Sequence, residues 1–360
     1  MNDATDHSIR PDGRPIVVTG VAGFIGHHTA THLLDLGWDV IGIDSFTPYY
    51  DRSIKERNLR LVEGRSGFSL RAEALTPELC SEVFDGARAV VHLAAQPGVR
   101  DSWHDFDTYL DLNVRATKVV LDAAAEAAVG RVVCASSSSV YGEAVQYPTR
   151  ESAPTTPRSP YGITKLAAER LAVAYGLERG VPTVSLRYFT VYGPGQRPDM
   201  AIQRLITAAR TASSFPLLGD GRQIRDFTYV ADVARANALA ALRPDIEAGE
   251  VLNVCGGSPV SLVDVFREVE HVTGCTLNFD RHAAALGDVQ RTGGSSERVR
   301  EVLAWSPEVS LADGIRFQDE EVMRRLASGA GAEPSRTSPA SSVSEQVVSA
   351  ADRGPGDVGA

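Results

Sequence analysis

Residues 16–26, Ile-Val-Val-Thr-Gly-Val-Ala-Gly-Phe-Ile-Gly, run from a short apolar stretch straight into three glycines spaced three apart. Consecutive apolar residues of this kind read as a strand buried on both faces. The pattern from Phe24 to Leu36 then reads as a helix. Glycine is a poor helix former, so three of them at a strand-to-helix junction need a reason in the backbone. Bringing main-chain N–H groups and a helix N-terminus up to a diphosphate supplies one. Gly20 then permits the tight turn, Gly23 the close approach of phosphate, and Gly26 the packing of helix on strand. Asp44 closes the next apolar run, Asp39 to Asp44. A carboxylate there can accept hydrogen bonds from an adenosine ribose and would repel a 2′-phosphate. The next arginine is not reached until Arg52, so the reading favours NAD over NADP.

Ala89 to Ala95, Arg131 to Ser136 and Thr183 to Phe189 are further apolar runs, and Thr108 to Ala128 and Tyr161 to Glu178 are helix-like stretches between or after them. Such alternation predicts an α/β, Rossmann-type doubly wound parallel sheet. After about Val191 the elements shorten and loops rich in Gly, Pro, Arg and Asp appear, while Val251 to Gly257 reads as one more strand returning to the sheet. The expected division is a dinucleotide-binding domain over 14–190 and a smaller C-terminal lobe over 191–326 covering the carboxyl ends of the strands. Residues 327–360, mostly Ser, Ala, Gly, Pro and polar, read as a disordered tail.

Of the 360 residues 43% are hydrophobic, and the net charge is −10 without any long basic run. That composition is globular and argues against nucleic acid or an anionic membrane as partner. Cys80, Cys134, Cys255 and Cys275 are scattered without a ligand spacing. His27 and His28 point about 100° apart on a helix, so they cannot chelate one ion as a pair, and no metal site is expected. No run reaches about 18 apolar residues, and the first fourteen residues lack the apolar core of a signal peptide. The expectation is a soluble cytoplasmic protein.

The chemistry lies in two stretches. Ala135 to Gly142, ASSSSVYG, leaves a central strand with hydroxyls where α/β proteins bind ligands, and YGITK puts Tyr161 and Lys165 one helical turn apart. Oxidising an alcohol requires removal of its proton as hydride leaves the carbon. A tyrosine with a pKa of about 10 needs roughly 4 kcal/mol of preference for the phenolate to act near pH 7. A lysine cation, a nicotinamide charge and a donated hydroxyl hydrogen bond can supply it.

GVAGFIG, HLAAQPGVR, SSSSVYG, SPYGITK, LRYFTVYGP, RDFTYVADV and GDV occur in this order. Together they resemble the extended short-chain dehydrogenases of the NAD-dependent nucleotide-sugar epimerase/dehydratase family, over Ile16 to Ile315. The resemblance implies Tyr161 as catalytic base, Lys165 as its partner, and Ser137 as the hydroxyl orienting the sugar oxygen. It implies a tightly held NAD seated by Gly20, Gly23, Phe24, Ile25, Gly26, Asp44, Ala94, Lys165 and Tyr188, with Asn113 buttressing the catalytic loop. Dehydratases of the family carry Asp-Glu, and decarboxylases Glu, just before VYG; here Ser138 and Ser139 stand there, which favours C4 epimerisation. The pattern is most similar to UDP-glucuronate 4-epimerases, which implies that Ser138, Ser139 and Thr190 hold the sugar carboxylate. Arg225, whose guanidinium suits phosphate geometry, is the first candidate for the substrate diphosphate, with Arg197, Gln223 and Arg100 beside it.

Three positions depart from the family pattern. Ala72 or Glu73 stands near an expected adenine-reading Asp, Ala285 near an expected Arg or Gln, and Arg115-Ala116 follows Asn113. Rival readings are a 4-epimerase for a neutral UDP- or dTDP-hexose, a 4-keto-sugar reductase, and a non-catalytic NAD-binding regulator. A homodimer through Thr108–Ala128 and Tyr161–Glu178 is implied by the family.

Overall fold

The computed structural model describes residues 10–283 and 289–328. Seven strands form one parallel sheet: β1 (Ile16–Thr19), β2 (Val40–Ile43), β3 (Phe68–Arg71), β4 (Ala89–His92), β5 (Val132–Ser137), β6 (Thr183–Tyr188) and β7 (Glu250–Val254). Their order is β7-β6-β5-β4-β1-β2-β3, the doubly wound arrangement expected from the alternation of apolar runs and helices. Alternate residues feed opposite layers. Ile16, Val18, Val91, Val133 and Val184 pack into one apolar cluster, and Val17, Val90, Val132 and Cys134 into the other. Both faces are covered, which is why these strands are apolar on consecutive residues.

The order reverses between β1 and β4, where ligands of such sheets bind. Here the Gly20 turn meets the chain leaving β4. Gly20 has φ +70°, and a Cβ on it would lie 2.8 Å from the Ala94 nitrogen. A Cβ on Gly26, inside the helix Phe24–Asp35, would lie 2.0 Å from the Gly20 carbonyl oxygen. The two glycines therefore let one turn touch a helix on one side and a second strand's exit on the other.

Several boundaries differ from the sequence reading. β4 stops at His92, three residues early, because Leu93 to Gln96 turn out to line the crossover. The Thr108–Ala128 stretch is a helix Phe106–Tyr109, a π turn Leu110–Arg115 and a helix Ala116–Glu126. The strand expected over Val251–Gly257 is β7, parallel to β6, and it does return to the main sheet.

Beyond β6 the chain makes short paired strands: Val191–Tyr192 with Thr228–Tyr229, Ile224–Arg225 with Val260–Ser261, and Ser214–Leu218 with Asn278–His282. The helix Val230–Leu242 lies back against Phe24–Asp35, with Asn237 Nδ2 donating to Thr29 Oγ1 at 3.0 Å. Residues 329–360, which hold nearly all of the expected tail, lie outside the described residues.

Gly26→Ala forces a methyl group into a backbone oxygen that packing holds in place. We expect a loss of about 1–3 kcal/mol or more, read as a fall of several degrees in the thermal unfolding midpoint.

Candidate active site

The cleft at the crossover is built first from main chain. Gly20 N–H donates to the Ile43 carbonyl at 2.7 Å, and Ala94 N–H donates to Thr19 Oγ1 at 3.1 Å. The helix that follows is capped by Gly23, whose lack of a side chain leaves no capping acceptor, and its first turn carries no acid. Unsatisfied N–H groups and the positive end of a twelve-residue helix thus face the cleft. These residues fit a dinucleotide diphosphate. Phe24 is buried and Ile25 half-buried within this turn. Asp44, 6% exposed, accepts from Ala22 N–H at 3.1 Å and Phe46 N–H at 2.8 Å, and Lys55 Nζ lies 3.5 Å away. Tyr188 turns away from the cleft: its hydroxyl donates to Asn237 Oδ1 at 2.6 Å in the core. Any contact it makes at the strand ends therefore falls to its backbone.

Ser137 ends β5 and Tyr161 begins the helix Pro160–Arg179. Ser159 caps that helix by accepting from Gly162 N–H at 3.1 Å, and Pro160 occupies the first turn, where its missing N–H costs nothing. The structure brings the Ser137 hydroxyl near enough to Tyr161 to act on its phenol. Burial pushes the Tyr161 phenol above its ordinary value, against the Ser137 hydrogen bond and the Arg197 charge, which both favour the phenolate. Lys165 Nζ donates to the Ala135 carbonyl at 2.8 Å, and burial lowers its pKa to about 8. Arg197 is thus one cation whose charge favours the Tyr161 phenolate.

The four serines have four environments. Ser136 Oγ donates to the buried Glu169 Oε2 at 2.6 Å, and Ser137 Oγ accepts from Ser139 N–H at 3.1 Å. Ser138 lines a small cavity with Tyr141, Tyr147 and Arg291. Ser138, Ser139 and Thr190 are each partly exposed. Beneath the loop lies a buried network. Arg187 donates to both Glu169 oxygens, at 2.8 and 2.6 Å, and to Tyr141 Oη at 2.7 Å, while Tyr141 donates to Asn253 Oδ1 at 2.7 Å. Asn113, in the π turn, holds Gln96 through both its N–H and its carbonyl and donates to Thr164 Oγ1 at 3.0 Å. It buttresses the β4 exit against the catalytic helix.

Arg197 forks onto Asp199 at 2.9 and 2.8 Å and lies 5.6 Å from the Tyr49 ring centroid. Its charge also reaches Tyr161. Arg225 and Gln223 sit on and before the Ile224–Arg225 strand, and Arg225 donates to the Ile224 carbonyl at 2.8 Å. Ile224 bridges to Arg291, which brings that strand beside the Ser138 cavity. Arg100 is exposed, and its charge acts on Arg204. Asp226 is wholly buried and takes N–H bonds from Gly257 at 3.0 Å and Gly294 at 3.1 Å. Burial raises its pKa to about 6, against these backbone donors.

His27 and His28 are buried braces: His27 Nδ1 donates to the Gly23 carbonyl at 2.9 Å, and His28 Nε2 to the Pro194 carbonyl at 2.8 Å. Burial lowers His28 to about 4, so the bond to Pro194 comes from a neutral ring. Glu73, one candidate for the missing adenine reader, is bound by Arg71 at 2.9 Å, while Ala72 is exposed. Arg115 pairs with Asp111 on the surface, and Ala285 lies outside the described residues. Among the described residues no cluster of three or more His, Cys, Asp or Glu could hold a metal.

Sequence reasoning missed Lys55, Arg187 and Glu169. Arg187 carries a readable signal: an arginine amid the apolar Thr183–Phe189 run needs a buried acid. Lys55 gave none, since its helix, Arg52–Leu59, is strongly polar throughout.

The family model for the NAD dependent epimerase/dehydratase family matches residues 16–255. A Bacillus subtilis (strain 168) protein named as the uncharacterized UDP-glucose epimerase YtcB is 40% identical over 83% of this chain and 95% of its own length. A probable UDP-glucuronate 4-epimerase of Rhizobium meliloti (strain 1021) is 32% identical over 83% of this chain and 94% of its own. The crystal structure of a Bacillus cereus UDP-glucuronic acid 4-epimerase, in complex with UDP-glucuronic acid and NAD, is 36% identical. It has a TM-score of 0.83 and covers 86% of this chain and 99% of that one.

Two outcomes follow from the buried charges. Glu169→Ala leaves Arg187 uncompensated, and urea unfolding should show a loss of roughly 3–5 kcal/mol. The Lys165 proton is held less tightly in the folded than in the unfolded protein, so folding gains stability as pH rises from about 8 towards 10.5. In nucleotide-free protein, native stability should rise relative to Lys165→Met by roughly 3 kcal/mol across that window, measured by unfolding at a series of pH values.

Proposed function

The chain belongs to the NAD dependent epimerase/dehydratase family, and from that premise we propose that it is an isomerase inverting C4 of a UDP-sugar, UDP-glucuronate to UDP-galacturonate foremost. The observation that carries the reading is the Ser137–Tyr161 contact at the end of β5, in the strand-end cleft whose glycine turn fits a dinucleotide. Gly20, Gly23, Gly26 and Asp44 would seat NAD, and when bound it supplies a nicotinamide that takes up the C4 hydride and returns it. Tyr161 takes the proton of the C4 hydroxyl, and Ser137 orients the same oxygen. Lys165, fixed on the Ala135 carbonyl, stays within the cofactor side of the cleft and adds positive charge there. Return of hydride to the opposite face, with Tyr161 giving its proton back, completes the inversion without net redox change.

Support for a uronate comes from the relatives and from hydroxyls at Ser138, Ser139 and Thr190, where an acid catalyst for dehydration is missing. The oxidised sugar would be a β-keto acid, which loses CO₂ when its breaking bond aligns with the carbonyl π system. Hydroxyls that pin the carboxylate out of that alignment protect it. Residues 14–190 would serve the cofactor and 191–326 the sugar nucleotide, with Arg225, Arg197, Gln223 and Arg100 supplying donors. UDP-glucose as substrate is the second reading, favoured by the 40% identical relative named for it.

The helices Ala116–Glu126 and Pro160–Arg179 are proposed to pair with a second copy. Ile163 and Leu177, 51% and 69% exposed on the latter, lie on nearly one face. Four unpaired cysteines suit the cytoplasm.

The test incubates purified protein separately with UDP-glucuronate, UDP-galacturonate and UDP-glucose. We expect the two uronates to interconvert and Tyr161→Phe to lose at least about a thousandfold in turnover. Ser139→Ala or Thr190→Ala should release CO₂ and UDP-4-keto-pentose. Turnover of UDP-glucose alone would establish the second reading.

A further inference from the structure

Lysine is almost never buried without a partner, yet the Lys55 side chain is only 7% exposed. Its ammonium lies 3.5 Å from Asp44 Oδ1, donates to Thr47 Oγ1 at 3.2 Å and stands 5.4 Å from the centre of the Tyr50 ring. The position read from sequence as a lone carboxylate is thus a buried ion pair. Asp44 is locked in place by the Ala22 and Phe46 N–H groups, so its charge cannot swing away. Arg52, the cation nearest in sequence, is on the surface, bonded to Glu56 at 2.8 Å and stacked 4.7 Å from the Phe46 ring centre.

Resting on the reading of this cleft as the NAD seat, we propose that Lys55 is a specificity-determining residue of that seat. It is a dormant anchor for a 2′-phosphate, held neutral in effect by Asp44. The reasoning is one of charge. A phosphate monoester brings a charge of about −1.5 to −2, and a lysine ammonium is a standard partner for it. With Asp44 ionised, the pair presents no net charge, and the phosphate meets the fixed carboxylate that the ribose hydroxyls prefer. With Asp44 neutral, the same pocket presents an uncompensated cation that is already desolvated and stands beside the position-44 side chain. Rejection of NADP then depends on one carboxylate rather than on pocket shape.

The experiment compares native protein with Asp44→Asn, Asp44→Ser and Lys55→Met, and with Asp44→Asn combined with Lys55→Met or with Arg52→Ala. Each is equilibrated with equimolar NAD and NADP, freed of unbound nucleotide and denatured, and the released dinucleotides are quantified. Asn and Ser each keep an oxygen for the backbone donors without the charge. We expect the NADP:NAD ratio to rise at least about tenfold in the neutral variants, the scale of one charge-assisted contact. The rise should vanish when Lys55→Met is added and persist when Arg52→Ala is added. Lys55→Met alone, which leaves Asp44 as it is, should weaken displacement of bound NAD by 2′,5′-ADP at least about tenfold more than displacement by ADP. That arm stands even if neither neutral variant folds. An unchanged ratio in the neutral variants, a gain that survives Lys55→Met, a gain lost with Arg52→Ala, or equal effects of Lys55→Met on both nucleotides overturns the proposal. Native protein that releases no dinucleotide overturns the reading of the cleft itself.

Discussion

The two-pronged bond between Arg187 and Glu169 holds the catalytic half of the molecule in register. Both side chains are almost wholly buried, and each makes bonds beyond the pair. Glu169 takes the Ser136 hydroxyl, and Arg187 reaches Tyr141 and the Glu151 carbonyl. Four elements meet there: β5, β6, the helix that carries Tyr161, and, through Tyr141 and Asn253, β7. A buried ion pair contributes little net stability by itself, because desolvating its charges offsets their attraction. Its value here is geometric. The serine loop is anchored on both sides of Ser137, because Ser136 is tied to Glu169 and Tyr141 to Arg187, the two halves of one ion pair.

A second set of contacts joins the dinucleotide turn to the substrate side. Asn237 accepts from Tyr188 and donates to Thr29, so the helix after the glycines is referenced to the end of β6. His28 reaches from that helix to Pro194, three residues before Arg197. Arg197 in turn places its charge on Tyr161. The Tyr161 phenol is thus biased by a guanidinium whose loop is hung from the helix after the glycines. Lys165, one turn along, is held by the Ala135 carbonyl.

How much of this was readable depended on whether an interaction leaves a periodic or local mark. The doubly wound parallel sheet followed from apolar runs buried on both faces and the helices between them, and the glycine turn from Gly20, whose positive φ suits few other residues. Tyr161, Ser137 and Asp44 lie on short motifs, and the structure places each at the cleft. Which face the Tyr188 phenol takes could not be read, because β6 is buried on both faces. Pairings across the sheet were invisible: Arg187 with Glu169 spans eighteen residues and Lys55 with Asp44 crosses a loop. The helix expected over Thr108–Ala128 hid its π turn, since a single wider turn carries no residue type of its own to mark it.

That added residue has a consequence for how the chain tolerates change. Across Leu110–Arg115 the backbone winds more widely than an α-helix, which advances everything downstream by one position, a phase of about 100°. The offset lets Asn113 face Gln96 and Thr164 while Val120, Leu121 and Ala124 still face the core. A single-residue deletion there would let the helix close into a regular one, yet the two faces would then fall out of step. Length variation that surface loops absorb freely is closed to this segment. Insertions and deletions among relatives should skirt it, leaving the spacing from Asn113 to the core positions after it unaltered.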